Sequence, residues 1–351
     1  MAAGDPSVDL SRIAFLLERA HAPTYRVRAF RTAAAVVDTL PPGELQRRAR
    51  VGTLQELSGV GPKTADVIAE SLAGEVPKYL ADLLGQAPAA VATGGEELRA
   101  ALRGDLHTHS DWSDGGSPIA EMARTAADVI GHEYVALTDH SARLTVANGL
   151  TAQRLREQLA VVAALNDELA PFRLLTGIEV DILEDGTLDA EPELLARLDV
   201  VVASVHSKLR MDTEAMTRRM VTAIANPHTD VLGHCTGRIV GTDPEGRRGG
   251  RGGRPESTFD AELVFAACAR FDVAVEINSR PERRDPPSRL IDLAVDFGCR
   301  FSIDSDAHAP GQLDWQPYGC ARAAARGLTP DQIVNTWALP DLLAWTARAS
   351  S

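Results

Sequence analysis

From Gly104 onward the chain alternates short apolar runs with helical stretches, and nearly every run stops at or beside a histidine, a carboxylate or an amide. This is the pattern of repeated strand–helix units around a parallel sheet. Seven runs read as strands: DLHTH (105–109), YVALTDH (134–140), LLTGIEV (174–180), VVVASVH (200–206), DVLGH (230–234), VAVEIN (273–278) and RFSIDSDAH (300–308). When such strands close into a barrel their C-terminal ends share one face, and that face carries the active site. The pattern predicts an α/β fold, a distorted (β/α)7 barrel with its chemistry at the strand ends.

His107 and His109 are two apart in an extended run, so both imidazoles point the same way. An HxH pair alone means little. Asp114, His140, Glu179, His206, His234, Asp306 and His308 also fall at or just beyond strand ends, and six of the nine histidines belong to this set. Imidazole combined with carboxylate suits zinc, manganese or iron, and the lack of thiolates argues against a structural zinc site. His21, in the N-terminal region, and His132, before the second strand, read as surface residues, and His228 precedes the fifth strand on the opposite face. Asn278, Arg280, Arg284 and Asp285 follow the sixth strand, where two readings stand: groups gripping a substrate phosphate, or solvated loop charges. Ser207 and Ser305, beside ligands, read as supporting groups rather than nucleophiles.

The order DLHTHSDWSDG, TDHS, GIEV, SVHS, GHC, EIN, SDAH resembles the polymerase-and-histidinol-phosphatase (PHP) family from 104 to about 310. The resemblance implies three divalent ions. His107, His109, Glu179 and Asp306 hold one; Glu179 bridges to a second, held also by His206 and His234; Asp114, His140 and His308 hold the third. It further implies hydrolysis of a phosphate ester by a metal-activated hydroxide, without a catalytic protein nucleophile. Manganese, zinc and iron all remain open as the metal.

Residues 1–85 read as all-helical, 86–103 as an interdomain linker with a short helix at its end, and 104–351 as the barrel. LQELSGVGPKTADVIAESL (54–72) has the helix-hairpin-helix pattern: Gly59 and Gly61 permit a tight turn, and backbone N–H groups with Lys63 can meet a DNA phosphate. Arg26, Arg28 and Arg31 add to a local basic surface, since 19–63 holds eight basic against three acidic residues. This region, YRVRAFRTAA (25–34) above all, resembles the lyase-like N-terminal domain of family-X DNA polymerases over 11–85. Two departures matter: Val67 stands where that family has its lyase lysine, and a short linker stands where it has a polymerase palm. Neither lyase nor polymerase chemistry is expected.

The net charge of -13 speaks against a nucleic-acid partner until its distribution is seen: residues 101–351 hold 25 basic against 37 acidic residues, so the deficit lies where cations would bind. TDPEGRRGGRGGRPES (242–257) reads as a mobile loop, either touching a phosphate backbone or merely solvated. The four cysteines show no CxxC pair and read as buried thiols. The N-terminal residues have no signal-peptide pattern and no 18-residue apolar run occurs, so a cytoplasmic location is expected, with no membrane partner. The expected function is a DNA-processing phosphodiesterase, a manganese-dependent 3′→5′ exonuclease or 3′-end-cleaning enzyme of DNA repair that binds DNA without sequence preference. A small-molecule phosphatase of histidinol-phosphatase type is the rival, and a non-enzymatic scaffold is opposed by the intact ligand set.

Overall fold

The computed structural model describes residues 4–86, 91–240 and 253–347. They form two compact units, one ending at Val91 and the other beginning at Ala92. None of the described helices is long and apolar enough to cross a membrane.

The first unit is helical. Its first helix, Pro6–Arg19, begins where Asp5 accepts from the Ser7 and Val8 amides and Pro6 suits the first turn. Leu10, Ile13, Ala14 and Leu17 form its buried stripe at helical spacing. Helices follow at Thr24–Thr39, Glu44–Val51, Pro62–Leu72 and Lys78–Gln86. In the hairpin, a 3-10 turn at Leu54–Glu56 precedes the glycines rather than a full helix, the chain having just left Glu44–Val51. Gly59 has φ +93°, and a Cβ there would lie 2.8 Å from Thr32 Cγ2, so conformation and space both require glycine. The Gly61 amide donates to Thr64 Oγ1 at 2.9 Å and caps the second helix.

The second unit is a nearly closed barrel of seven parallel strands in sequential order: β1 Gly104–Thr108, β2 Tyr134–Leu137, β3 Arg173–Asp181, β4 Val200–Ser204, β5 Val231–Leu232, β6 Ala274–Asn278 and β7 Phe301–Asp304. The VVVA run of β4 explains why both faces are apolar: Val200 and Val202 join the cluster containing Leu342 and Trp345, while Val201 and Ala203 pack in the cluster of Met216, Met220 and Phe265. The helix Glu96–Ala101 lies inside the segment read as a linker, yet Leu98 and Leu102 are buried in that second cluster. Spaced four apart, they give even this short helix an apolar side to bury. Hence the latter part of 86–103 belongs to the barrel unit.

Between β1 and β7 no regular ladder forms. A Thr108–Ala307 bridge, with His109 N donating to Ala307 O at 2.8 Å, closes the C-terminal end. Below it two buried carboxylates act as acceptors: Leu106 N donates to Asp304 Oδ1 at 2.9 Å and Ser305 N to Asp105 Oδ1 at 3.2 Å. Burial pushes Asp105 up to about 7, and burial together with the Asp105 charge holds Asp304 well above the usual range.

Candidate metal centre

Alternation along the strands builds the site. On β3, Ile178 and Val180 pack outward, which leaves Glu179 and Asp181 facing into the barrel. On β1 the same period turns His107 and His109 inward, and both are fully buried. Asp306, two residues past β7, has φ +51°, a left-handed conformation that aspartate tolerates better than most residues.

All nine expected ligands come together. Their donor atoms form four groups, each within 4.8 Å: His109, Asp114, His140 and His308; His107, Glu179 and His234; His107, His109 and Asp306; His140, Glu179 and His206. His107, His109, His140 and Glu179 each belong to two groups, so the centre is contiguous. Glu179 is its hub. Its Oε1 lies 2.8 Å from His234 Nε2 and 3.1 Å from His206 Nε2, and its Oε2 lies 2.9 Å from His140 Nδ1 and 3.3 Å from His107 Nε2.

These contacts lack hydrogen-bond geometry. His107 Nε2, both ring nitrogens of His109, His206 and His234, and Glu179 Oε1 are buried without a hydrogen-bond partner. Orphaned polar atoms in such number are costly in a protein interior. Lone pairs gathered in overlapping groups of imidazole and carboxylate fit several divalent cations.

The electrostatics agree. Burial opposes charge on Glu179, yet the surrounding histidines outweigh it and hold the carboxyl well below its usual range. Asp306 is likewise lowered, burial being overcome by Arg280, Arg283 and His107. Burial works against a charged His206 too, but Glu179 and Asp181 raise it to about 9. His109 and His234 are depressed, burial being reinforced by neighbouring histidines in the first case and by Arg283 in the second.

Behind the ligands stands a second set of groups. Glu276 Oε1 lies 2.7 Å from His107 Nδ1, and its Oε2 accepts from the His234 amide at 2.5 Å. Asp181 Oδ1 accepts from the His206 amide at 3.1 Å. Asp139 accepts from Ser110 N and from the hydroxyls of Ser110 and Ser113, which ties the Asp114 loop to the end of β2. Ser207 approaches the buried Arg219, and Ser305 Oγ accepts from the Ala307 amide at 3.2 Å, both local structural contacts.

The groups expected to meet substrate separate. Asn278 is fully buried and donates to Asp306 Oδ2 at 3.0 Å, so it orients that candidate ligand rather than facing substrate. Arg280 Nη1 lies 2.7 Å from His308 Nδ1. Arg284 is exposed, and its guanidinium Nε donates to the Pro281 carbonyl at 3.2 Å. Its neighbour Arg283 instead reaches the centre, with Nε 3.0 Å from Asp306 Oδ2 and a buried Nη1 that has no partner. Asp285 is buried and accepts from Thr236.

In the first unit, Lys63 is exposed and lies over the Tyr79 ring, whose hydroxyl accepts from Arg26 at 2.6 Å. Arg28 is exposed, whereas Arg31 is engaged with the buried Glu18 at 2.8 Å. Val67 is a core residue. Two histidines differ in fate: His21 is exposed, but His132 is buried, contrary to the surface expectation, with Arg99 and Gln316 close enough to act on its ring. The Arg-rich segment falls mostly outside the described residues.

A seven-stranded barrel with a contiguous cluster of histidines and carboxylates at its strand ends has the donor set of a metal-dependent hydrolase, and similarity to known proteins specifies its ester. Residues 105–280 match the PHP domain, and residues 8–76 match a helix-hairpin-helix domain. The chain belongs to the PHP family of metal-dependent phosphoesterases, with an N-terminal helix-hairpin-helix domain. It is 39% identical over 248 residues to a Bacillus subtilis (strain 168) protein named DNA polymerase/3'-5' exonuclease PolX, across 70% of this chain and 41% of that one. The chain thus spans about two fifths of that relative's length. A probable phosphatase of Thermoanaerobacter sp. (strain X514) is 27% identical over 66% of this chain and 89% of its own. A histidinol phosphate phosphatase from Lactococcus lactis, solved with zinc, L-histidinol and phosphate, superposes with TM-score 0.46 and 16% identity over 65% of this chain and 94% of its own.

Proposed function

We propose that this protein is a DNA-processing phosphodiesterase, a manganese-dependent 3′→5′ exonuclease or 3′-end-cleaning enzyme. One observation carries this reading: a single chain joins a helix-hairpin-helix domain to a nine-ligand phosphoesterase centre. The hairpin, with Lys63, Arg26 and Arg28 nearby, offers donors to a phosphate backbone without reading bases. Similarity to the Bacillus polymerase/exonuclease supports DNA as the substrate.

In this reading three divalent ions are held by His107, His109, Glu179 and Asp306, by Glu179, His206 and His234, and by Asp114, His140 and His308. Bound there, they would supply Lewis acidity toward a phosphoryl oxygen and acidify a coordinated water. Arg280 and Arg283 flank Asp306 and grip non-bridging oxygens of the scissile phosphate. Asn278 keeps Asp306 in place, and Glu276 and Asp181 keep His107 and His206 oriented.

The second reading, a small-molecule phosphatase, is favoured by the 27% identity to probable phosphatases. Purified protein with Mn²⁺ separates the two when offered 3′-labelled DNA, histidinol phosphate and p-nitrophenyl phosphate, with Asp306→Ala as control. Turnover of small esters without any DNA cleavage overturns the preferred reading.

A further inference from the structure

The loops after β5 and β6 carry a charge opposite to that of their domain. In the described parts of 237–257 and in 279–289 there are six arginines, Arg238, Arg254, Arg280, Arg283, Arg284 and Arg289, against Glu256, Glu282 and the buried Asp285. Residues 101–351 as a whole are acidic, with 25 basic against 37 acidic residues. The two loops are one surface. Val240 N donates to Glu282 O at 2.6 Å, Arg238 Nε to Arg283 O at 3.1 Å, and Arg238 Nη2 to Arg284 O. Glu256 is shared by Arg238 and Arg289, so one carboxylate serves two cations. Among the described residues no carboxylate pairs with Arg284, whose φ of +48° sets it apart from its neighbour Arg283.

The surface runs up to the metal centre, because Arg280 and Arg283 contact His308 and Asp306. We propose that it is the track on which the phosphodiester backbone of a DNA strand lies next to its scissile phosphate, with Arg284 and Arg289 neutralising flanking phosphates. This rests on the DNA reading above. It adds a contact surface on the barrel itself, apart from the hairpin. Charge complementarity selects the occupant: a strand offers evenly spaced single negative charges to a net-positive strip on an acidic domain.

The test uses the full chain with its metals bound and a fluorescent oligonucleotide of phosphorothioate linkages, which resist cleavage, titrated across a sodium chloride series. Loss of each phosphate contact should flatten the log–log salt dependence by about 0.7 for a single strand. Arg284→Ala with Arg289→Ala is expected to flatten it by about 1.4 and weaken binding. Glu256→Gln removes a negative charge and is expected to tighten DNA binding, an opposite effect that misfolding would not produce. Unchanged affinity and slope in the double variant, with wild type binding DNA, overturn this track alone. Wild type that binds no DNA overturns the DNA reading as well.

Discussion

Glu276 offers the sharpest perturbation of the centre that spares every ligand. Its carboxylate serves two ligand residues at once, His107 through Nδ1 at 2.7 Å and His234 through its amide at 2.5 Å. In Glu276→Gln the side chain keeps its shape, but the amide can turn an oxygen toward only one of these donors. Loss of such support typically weakens metal binding 10–100-fold, about 1.4–2.7 kcal/mol. A pH signature follows as well. Burial resists charge on His107, and Glu179, Glu276 and Asp306 together raise its pKa well above normal, so at neutral pH a proton competes with the cation. Removing the Glu276 charge eases that competition, so the penalty in Glu276→Gln is largest at high pH and shrinks as pH falls. Competition titration of stripped protein with Mn²⁺ and a chromophoric chelator at pH 7 and 9 reads both effects. Affinity within about threefold of wild type at pH 9, with an unchanged melting temperature of the stripped protein, would refute the reasoning.

Three further outcomes are expected. The Asp114 group is the most exposed part of the centre, so Asp114→Ala should lower metal content by a single equivalent in plasma mass spectrometry, whereas Glu179→Ala should lose more, because Glu179 lies in two groups. Arg219, buried on the helix Thr213–Ile224, donates to Ile182 O and Ser207 O; Arg219→Met strands both carbonyls and should cost about 2–4 kcal/mol in urea unfolding, with Arg219→Lys losing less. Burial, reinforced by Arg99, pushes His132 down to about 3 from 6.5, so the fold holds it neutral while the unfolded chain takes up a proton below 6.5. Stability from this residue is therefore present above that pH and is lost as pH falls toward 3, by about 2 kcal/mol at pH 5; His132→Leu should abolish that difference between unfolding at pH 7 and pH 5 in chelator.

The gathering of these nine side chains was legible because a strand has period two and a barrel has one active face. His107 and His109 needed only the extended run between them, and Asp306 and His308 only the end of β7. Arg283 and Arg284 show where such reasoning stops: they are adjacent and chemically identical, and a left-handed residue in the turn sends one to Asp306 and the other outward. Glu276 and Asn278 lie two apart on β6, and their inward face follows from the strand, but their service to ligands depends on distances to β1 and β7 that only the closed barrel sets. His132 carries no periodic signal, and the neighbours that act on its ring, Arg99 and Gln316, are far apart in sequence.

The gap between β1 and β7 bears on how the protein comes into being. Asp105 and Ser305 meet across 200 positions of chain, so this junction is among the most expensive closures in the fold. His107 and His109 sit on one side of it and Asp306 on the other, so no partly folded chain that lacks β7 can own a complete centre. In the proposed metal-bound state cation capture would be a final event, and an ion held by His107, His109 and Asp306 would act as a clasp where the backbone ladder is missing. Removing that ion is expected to loosen first the edge the backbone does not sew, with the Leu106 and Ser305 amides as its reporters in hydrogen exchange.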